Sequence, residues 1–248
     1  MRDWLFDEVD AQAAGEAASL LPERLFDAHA HLYRQADMPL PEGSLYAAGP
    51  ELVDVAVWRE TLGRQVGEGR LAGALFLPVP FAPPERISAV NAWMMDVLAD
   101  CPEARAFALV APGMRRADME PLLGRKPFAG FKPYHTYSVS KPTFDAPPGA
   151  FIPEWVWETA DGLGLAITLH LVRAGAMADP ENLAYVRAHC EKYSNARLIL
   201  AHAGRAFHAP NASAGASGLQ GLPNLWFDTS GICEAEPLIA LLDAFGPR

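Results

Sequence analysis

The chain has 248 residues, half of them hydrophobic and a fifth charged, and such proportions are typical of a folded globular protein rather than a disordered or fibrous one. It carries 20 Lys and Arg against 30 Asp and Glu, so its formal net charge is −10. An acidic chain repels nucleic acid phosphates and anionic membrane surfaces, and we therefore expect a small-molecule partner and neither of these two.

The cysteines and the chain start bear on the compartment. Cys101, Cys190 and Cys233 are far apart and form no C-x-x-C pair, which predicts no disulfide framework and a reducing environment. The first residues are acidic where a secretory peptide would be basic and then apolar. The most apolar stretch, residues 71–81, contains two prolines and is shorter than the ~20 residues of a membrane span. We expect a cytoplasmic protein.

In chain order, residues 1–22 predict an amphipathic helical extension, and residues 23–248 predict one barrel domain. Short apolar or β-branched runs then alternate with amphipathic stretches. The predicted strands are Leu25–His31, Ala72–Val79, Ala106–Val110, Ala129–Tyr134, Ala166–Leu171, Arg197–His202 and Leu225–Thr229. The predicted helices are Glu51–Glu68, Ser88–Ala99, Pro153–Leu163, Pro180–Tyr193 and Glu236–Ala244. Residues 207–223, rich in Ala, Gly and Ser, predict a long loop or a weak helix.

The regular alternation of strand and helix predicts an α/β fold with a parallel sheet. Its spacing is close to the ~31 residues per unit of a (β/α)8 barrel, although an open doubly wound sheet shows the same alternation. The pattern contains seven strands. At this spacing we expect an incomplete parallel barrel of seven strands with helices outside.

Two histidines close the first predicted strand. His29 and His31 are two residues apart, and the strand period of two places both imidazoles on one side. Two neutral imidazoles on one face can bind a single divalent ion. Taken alone, the pair is equally compatible with ordinary histidines at a strand end.

Histidines also close two later strands, His170 on the fifth run and His202 on the sixth. The carboxyl ends of barrel strands gather at one mouth, where active sites form. Four histidines converging there favour a metal or catalytic role over a set of hydrogen-bonded rim residues.

Further polar residues follow the same strand ends. Lys132 ends the fourth run, where it could be a rim lysine, hold a substrate carboxylate, or bridge two metals as a carbamate. Tyr134 follows it as a candidate for substrate contact. Arg173 and Arg205 each lie three residues beyond a strand-end histidine and are candidates for binding an acidic group. Asp228, at the end of the seventh run, is a candidate for ordering the base histidine or binding substrate.

Together these motifs resemble the amidohydrolase superfamily, in particular the amidohydrolase-related branch with aminocarboxymuconate-semialdehyde decarboxylase and the pyrone-dicarboxylate lactonases. The resemblance covers the chain from about Leu25 onward. It rests on the motifs Phe-Asp-Ala-His-Ala-His-Leu, Gly-Phe-Lys, Leu-His, Ala-His-Ala-Gly and Phe-Asp-Thr-Ser, in this order along the chain.

The resemblance implies an α/β fold, a TIM-like (β/α)8 barrel of the metal-dependent hydrolase type that lacks its eighth strand in this chain. It also implies a divalent metal, most often zinc, with His29, His31 and His170 as ligands. It implies that His202 is the base or a further ligand. The implied activity is hydrolysis of a small carboxylated or cyclic ester or amide by metal-activated water. A non-oxidative decarboxylase with the same site, and a catalytically dead barrel kept for binding, stay open as alternatives. Metal-dependent deoxyribonucleases also begin with His-x-His, but they carry a strand glutamate where this chain has Lys132.

One departure from the family pattern concerns the far end of the chain. The family takes an aspartate from an eighth strand as ligand and base, and Asp228 lies on the seventh predicted strand. We therefore expect that the sequence is a fragment of a longer protein and that the chain as written has little activity. Unpaired edges on the first and last strands would leave homo-oligomer formation open.

Overall fold

The structure is a computed structural model that describes residues 6–40 and 43–246, except for the side chain of Leu45. The start of the predicted N-terminal extension, residues 1–5, lies outside this range. The chain divides into two compact units. Unit 1 holds the described part of Met1–Phe107 together with Gly124–Phe128, and unit 2 holds Ala108–Leu123 and the described part of Ala129–Arg248.

Unit 1 is built on a parallel sheet with one short antiparallel strand. Its strands are β1 (Leu25–Arg34), β2 (Leu52–Val53), β3 (Leu71–Pro78) and β4 (Ala104–Val110), of which β4 continues into unit 2. They pair in the order β2-β1-β3-β4, and only β2 runs antiparallel, with Val53 opposite Tyr33. The α-helices are α1 (Glu8–Ala17), α2 (Leu45–Ala48), α3 (Val55–Val66) and α4 (Ile87–Val97).

Unit 2 has the same alternation of strand and helix. Its strands are β5 (Phe128–Pro133), β6 (Ala166–Leu169), β7 (Arg197–Leu200) and β8 (Leu225–Phe227), and the first residue of β5 belongs to unit 1. They pair in the order β5-β6-β7-β8 and are all parallel. The helices are α5 (Glu154–Leu163), α6 (Pro180–Lys192), α7 (His202–Arg205), α8 (Ala209–Leu219) and α9 (Ala235–Phe245).

All seven predicted strands are present, and they are the parallel ones. The short antiparallel strand β2 was not predicted, because two residues are too few to show a period; it is not the barrel's missing eighth strand. It occupies part of the predicted helix Glu51–Glu68, and the helix α3 begins only at Val55. Asp54 caps α3, because its side chain accepts the backbone N–H groups of Ala56 and Val57. The other predicted helices are confirmed to within a few residues.

The segment 207–223, predicted as a long loop or a weak helix, contains the 11-residue helix α8. Glycine and serine are poor helix formers, but here the small side chains permit close packing. A Cβ atom on Gly215 would lie 2.6 Å from the carbonyl oxygen of Met177, so the helix backbone lies directly against that residue. Tertiary contact therefore outweighs local propensity in α8.

Helix α1 lies within the predicted N-terminal extension. Asp7 caps it, and Asp7 and Asp10 form a reciprocal capping box. None of the residues of α1 is buried. The domain boundaries predicted at residue 23 stay a prediction.

The buried core of each unit is apolar and follows its strands. Along β4, residues 106–110 are all buried, as expected for a parallel strand covered on both faces. The three cysteines, Cys101, Cys190 and Cys233, are free. Among the described residues, no helix is both long and apolar enough to cross a membrane.

Candidate active site

In unit 1, the end of β1 holds a close pair of imidazoles. The Nε2 atoms of His29 and His31 lie 3.2 Å apart. The Nδ1 atom of His31 lies 3.1 Å from the carbonyl oxygen of Leu77, which can only accept, so Nδ1 carries the proton and Nε2 carries the lone pair. Two nitrogens bound to one tetrahedral zinc ion are about 3.3 Å apart. The spacing of the pair therefore suits a shared divalent ion.

Asp27 fixes the strand that carries this pair. Its carboxylate accepts the backbone N–H of His29 at 3.0 Å and the indole N–H of Trp58 at 2.9 Å. The register between β1 and β3 shifts between Asp27 and Ala30, an irregularity typical of strands that redirect a side chain near a site. A cavity of about 510 Å³ in unit 1 borders on Asp27, His31 and Trp58.

In unit 2, Lys132 is the most deeply buried polar residue of the candidate site. Its side chain is 0% exposed, and its Nζ atom lies 4.9 Å from the centroid of the Tyr134 ring. Among the described residues, Nζ has no hydrogen-bond partner. Burial lowers the pKa of Lys132 to about 7, against the opposing effect of the negative charge on Asp228.

His170 follows β6 and lies beside two other imidazoles. Its ring centroid is 5.1 Å from that of His202 and 5.7 Å from that of His135. Burial, together with the positive charge of Lys132, lowers the pKa of His170 to about 3, so the ring is neutral near pH 7. Its buried Nδ1 atom has no hydrogen-bond partner within the described part of the chain.

Asp228 and Ser230 follow β8 and surround the His202 ring and backbone. The Nδ1 atom of His202 lies 2.8 Å from the carbonyl oxygen of Ser230 and 3.0 Å from its hydroxyl oxygen. That hydroxyl is 2.5 Å from Oδ1 of Asp228. The same Oδ1 accepts the backbone N–H groups of His202 at 3.0 Å and Ser230 at 3.1 Å. The predicted role of Asp228 in ordering His202 thus has a direct structural basis.

His202 itself stands in an unusual backbone conformation. The four residues of α7 have positive φ angles, 55° at His202, 54° at Ala203, 70° at Gly204 and 60° at Arg205. This left-handed region costs each non-glycine residue roughly 1–2 kcal/mol. The Ala203 N–H donates to the carbonyl oxygen of Asp228 at 2.6 Å and helps to hold the turn. Such strain concentrates at functional sites.

The two candidate arginines differ in their surroundings. Arg173 forms ion pairs with Glu181 and, at 3.4 Å, with Asp179, so its guanidinium lies at the start of α6. Arg205 donates to the carbonyl oxygen of Arg173 at 3.0 Å, and its guanidinium carbon lies 5.6 Å from the Phe144 ring centroid. The substrate-binding roles of Tyr134, Arg173 and Arg205 stay predictions.

Sequence reasoning missed Ser230 and two exposed aromatic residues. Phe144 is 56% exposed with its ring centroid 4.6 Å from that of His135, and Phe207 is 53% exposed at 5.4 Å from His202. Phe207 lies only five residues beyond a strand-end histidine, and Ser230 lies two beyond a strand-end aspartate. This proximity to strand ends was the available signal.

Each unit by itself offers donors that fit a divalent metal ion. Unit 1 supplies the His29 and His31 pair. Unit 2 supplies the neutral His170 with its buried unpartnered nitrogen, and a donor pair of His202 and Asp228 whose ligand atoms lie within 4.8 Å of each other. Imidazole and carboxylate donors are compatible with zinc, iron or manganese.

Neither a family model nor a curated protein matches this sequence. Solved structures do match its fold. Amidohydrolase 2 from Bifidobacterium longum subsp. infantis aligns over 90% of this chain and 80% of its own, at 17% identity and a TM-score of 0.59. A candidate 2-pyrone-4,6-dicarboxylic acid hydrolase from Pseudomonas putida aligns over 91% and 80%, at 15% identity and a TM-score of 0.59.

A third similar structure is a dihydroxybenzoic acid decarboxylase from Polaromonas sp. JS666, determined with bound manganese and the inhibitor 2-nitroresorcinol. It aligns over 89% of this chain and 82% of its own, at 15% identity and a TM-score of 0.55. The predicted resemblance is therefore confirmed at the level of the fold: the chain has the (β/α) barrel fold of the amidohydrolase structures.

Proposed function

We propose that this protein is a metal-dependent enzyme that hydrolyses a small carboxylated or cyclic ester or amide. The observation that carries the proposal is the arrangement in unit 2, where four polar residues lie at the ends of four neighbouring parallel strands. Lys132 is near the end of β5, and His170, His202 and Asp228 follow β6, β7 and β8. Such a set of titratable side chains at strand ends is typical of barrel active sites. The fold likeness to hydrolases and decarboxylases supports an enzymatic role.

For the metal ligands, we propose the set that the resemblance implies, His29, His31 and His170. The 3.2 Å spacing of the first two and the lowered pKa of the third support this choice, because metals bind neutral imidazole. We propose zinc as the ion, with manganese as the next candidate. A divalent ion supplies a Lewis acid that polarises a carbonyl and activates water near pH 7.

For the base, we propose His202. Its Nδ1 atom faces the carbonyl oxygen of Ser230, so the proton lies on Nδ1 and the lone pair on Nε2. Nε2 is then the atom that takes a proton from the attacking water and returns it to the leaving group.

For substrate binding, we propose that Lys132, assisted by Tyr134, Arg173 and Arg205, attracts a carboxylate. A buried ammonium without a partner among the described residues is costly, and an anionic group on the substrate would compensate it. The amine is thus held ready to bind a negative charge or to move a proton near neutral pH.

A non-oxidative decarboxylase is the second candidate. The half-exposed rings of Phe144 and Phe207, each packed against a histidine, favour a flat unsaturated ring as substrate. The same ligands and base would serve, with carbon dioxide as the distinguishing product. For both candidates we propose a cytoplasmic enzyme with a small-molecule substrate. Light scattering measures whether the protein forms a homo-oligomer.

The test uses the purified full chain and two matched variants. We expect elemental analysis to find zinc or manganese in the wild type and a loss of metal in His29→Ala. His208→Ala, whose histidine is exposed, should keep the metal content of the wild type. Lactones and esters are assayed by acid release, and aromatic carboxylates by carbon dioxide release. Absence of metal together with absence of turnover on both panels would overturn the proposal.

A further inference from the structure

We propose that the Ser230 hydroxyl is a positioning group that links Asp228 to the His202 ring and fixes its tautomer and orientation. This inference deepens the proposed function, because it rests on His202 acting as the base there. It concerns the ring state of one histidine, however, which can be measured whether or not a substrate is known.

The directions of the hydrogen bonds follow from which groups can donate. Oδ1 of Asp228 receives the backbone N–H groups of His202 and Ser230, which can only donate, so this oxygen is an acceptor. The Ser230 hydroxyl, 2.5 Å away, must therefore give its single hydrogen to Oδ1. Its oxygen is left to accept from the His202 ring at 3.0 Å.

The ring nitrogen Nδ1 consequently faces two acceptors. The Ser230 carbonyl oxygen at 2.8 Å and the Ser230 hydroxyl oxygen at 3.0 Å both require a hydrogen on Nδ1. A neutral ring with its hydrogen on Nε2 would bring three lone pairs together at this point. The arrangement therefore selects the tautomer whose lone pair is on Nε2.

The Ser230 hydroxyl restrains the His202 ring and does not hold the backbone of the two strand ends together. The ends of β7 and β8 are already joined by the N–H of His202 to Asp228 and the N–H of Ala203 to the Asp228 carbonyl oxygen. Among the described residues, the Ser230 hydroxyl makes hydrogen bonds only to Asp228 and to the ring. Its removal leaves the backbone bonds in place and takes away one of the two acceptors at Nδ1.

Nitrogen NMR tests the inference on the full chain labelled with ¹⁵N-histidine. Spectra are recorded at about pH 8, above the ordinary imidazole pKa of about 6.5, with a chelator present so that no bound ion selects the tautomer. The His202 signals are those that disappear in His202→Gln. The variants are Ser230→Ala, Ser230→Thr, which restores a hydroxyl, and Ser213→Ala as an exposed serine control.

We expect His202 to be protonated on Nδ1 in the wild type, in Ser230→Thr and in Ser213→Ala. In Ser230→Ala the carbonyl oxygen of residue 230 is the one acceptor left at Nδ1, so we expect nitrogen shifts moved part of the way toward the Nε2-protonated tautomer. With a substrate, we expect a fall in kcat of about five-fold for one lost hydrogen bond. A wild-type ring protonated on Nε2 would overturn the inference without any variant. An unchanged ring in folded Ser230→Ala would overturn it as well.

The two proposals can fail separately. If the NMR result is as expected but the chain holds no metal and neither assay panel shows turnover, the positioning role stands and the proposed reaction is wrong. If turnover and metal are found but the tautomer is insensitive to the hydroxyl, the reaction stands and the role of Ser230 is wrong.

Discussion

The backbone N–H of His202 donates to Oδ1 of Asp228 at 3.0 Å, and this bond joins the ends of two neighbouring parallel strands. Asp228 is 4% exposed, and the same oxygen receives two further donors from Ser230. One carboxylate thus holds both the loop after β8 and the strained turn after β7.

We expect Asp228→Ala to lower the free energy of unfolding by about 2–3 kcal/mol, because it leaves buried donors without an acceptor. Urea denaturation followed by circular dichroism measures the change. Asp243→Ala, on the exposed face of α9, is the matched control and should alter stability by less than about 0.5 kcal/mol. Equal effects of the two variants would show that the three bonds to Oδ1 contribute little.

We expect zinc to raise the melting temperature of the wild type, because a ligand that binds only the folded state stabilises it by about 2.7 kcal/mol at 100 times its Kd. His170→Ala should lose most of this increase, while the exposed His208→Ala should keep it. Differential scanning fluorimetry with and without added zinc measures the increase. A full increase in His170→Ala would remove His170 from the ligand set.

The stability of the protein should depend on the titration of Lys132. Its pKa is about 7 in the folded chain, against the ordinary lysine value of 10.5 that applies once the chain unfolds, so between these values the unfolded chain binds more protons. The unfolding free energy contributed by this group therefore rises as the pH rises from about 7 to about 10.5. Below pH 7 the full cost of the buried charge is present.

Lys132→Met should abolish that rise and increase stability at pH 7, because it buries an apolar chain of similar length. Urea denaturation at pH 7, 8 and 9 compares the two slopes, and Lys126→Met provides a control for the loss of a lysine. A wild-type slope equal to that of Lys132→Met would show that the buried amine keeps an ordinary pKa.

Two glycine substitutions should act in opposite directions. Gly215→Ala in α8 should destabilise the protein, because the new Cβ would lie 2.6 Å from a carbonyl oxygen of Met177. Gly15→Ala in α1 meets nothing within 4 Å and should stabilise by about 0.5–1 kcal/mol through helix propensity. Thermal melts of both variants check the signs, and a stabilising Gly215→Ala would refute the close packing of α8.

The features that could be predicted from sequence are those with a local pattern. The two-residue period of a strand predicted that His29 and His31 lie on one side, and their Nε2 atoms are indeed 3.2 Å apart. Apolar runs ending in Lys132, His170, His202 and Asp228 were enough to predict four parallel strand ends and their polar residues.

The features that sequence analysis missed depend on contacts between distant segments. The packing of Gly215 in α8 against Met177 is a contact that no local pattern shows. The role of Ser230 arises only once β7 and β8 are neighbours. The ion pairs of Arg173 with Asp179 and Glu181 likewise follow from a turn whose shape was not predictable.

The left-handed turn at residues 202–205 restricts which sequences this site can accept. Side chains branched at Cβ fit that backbone region badly, whereas Gly and Asn enter it with little strain. In a library randomised at position 203, survivors should be rich in Gly and Asn and poor in Val and Ile, although Ala203 offers no chemistry of its own. The residue types that natural relatives carry at this position would then reflect its positive φ angle. A conserved small residue there would not indicate contact with substrate.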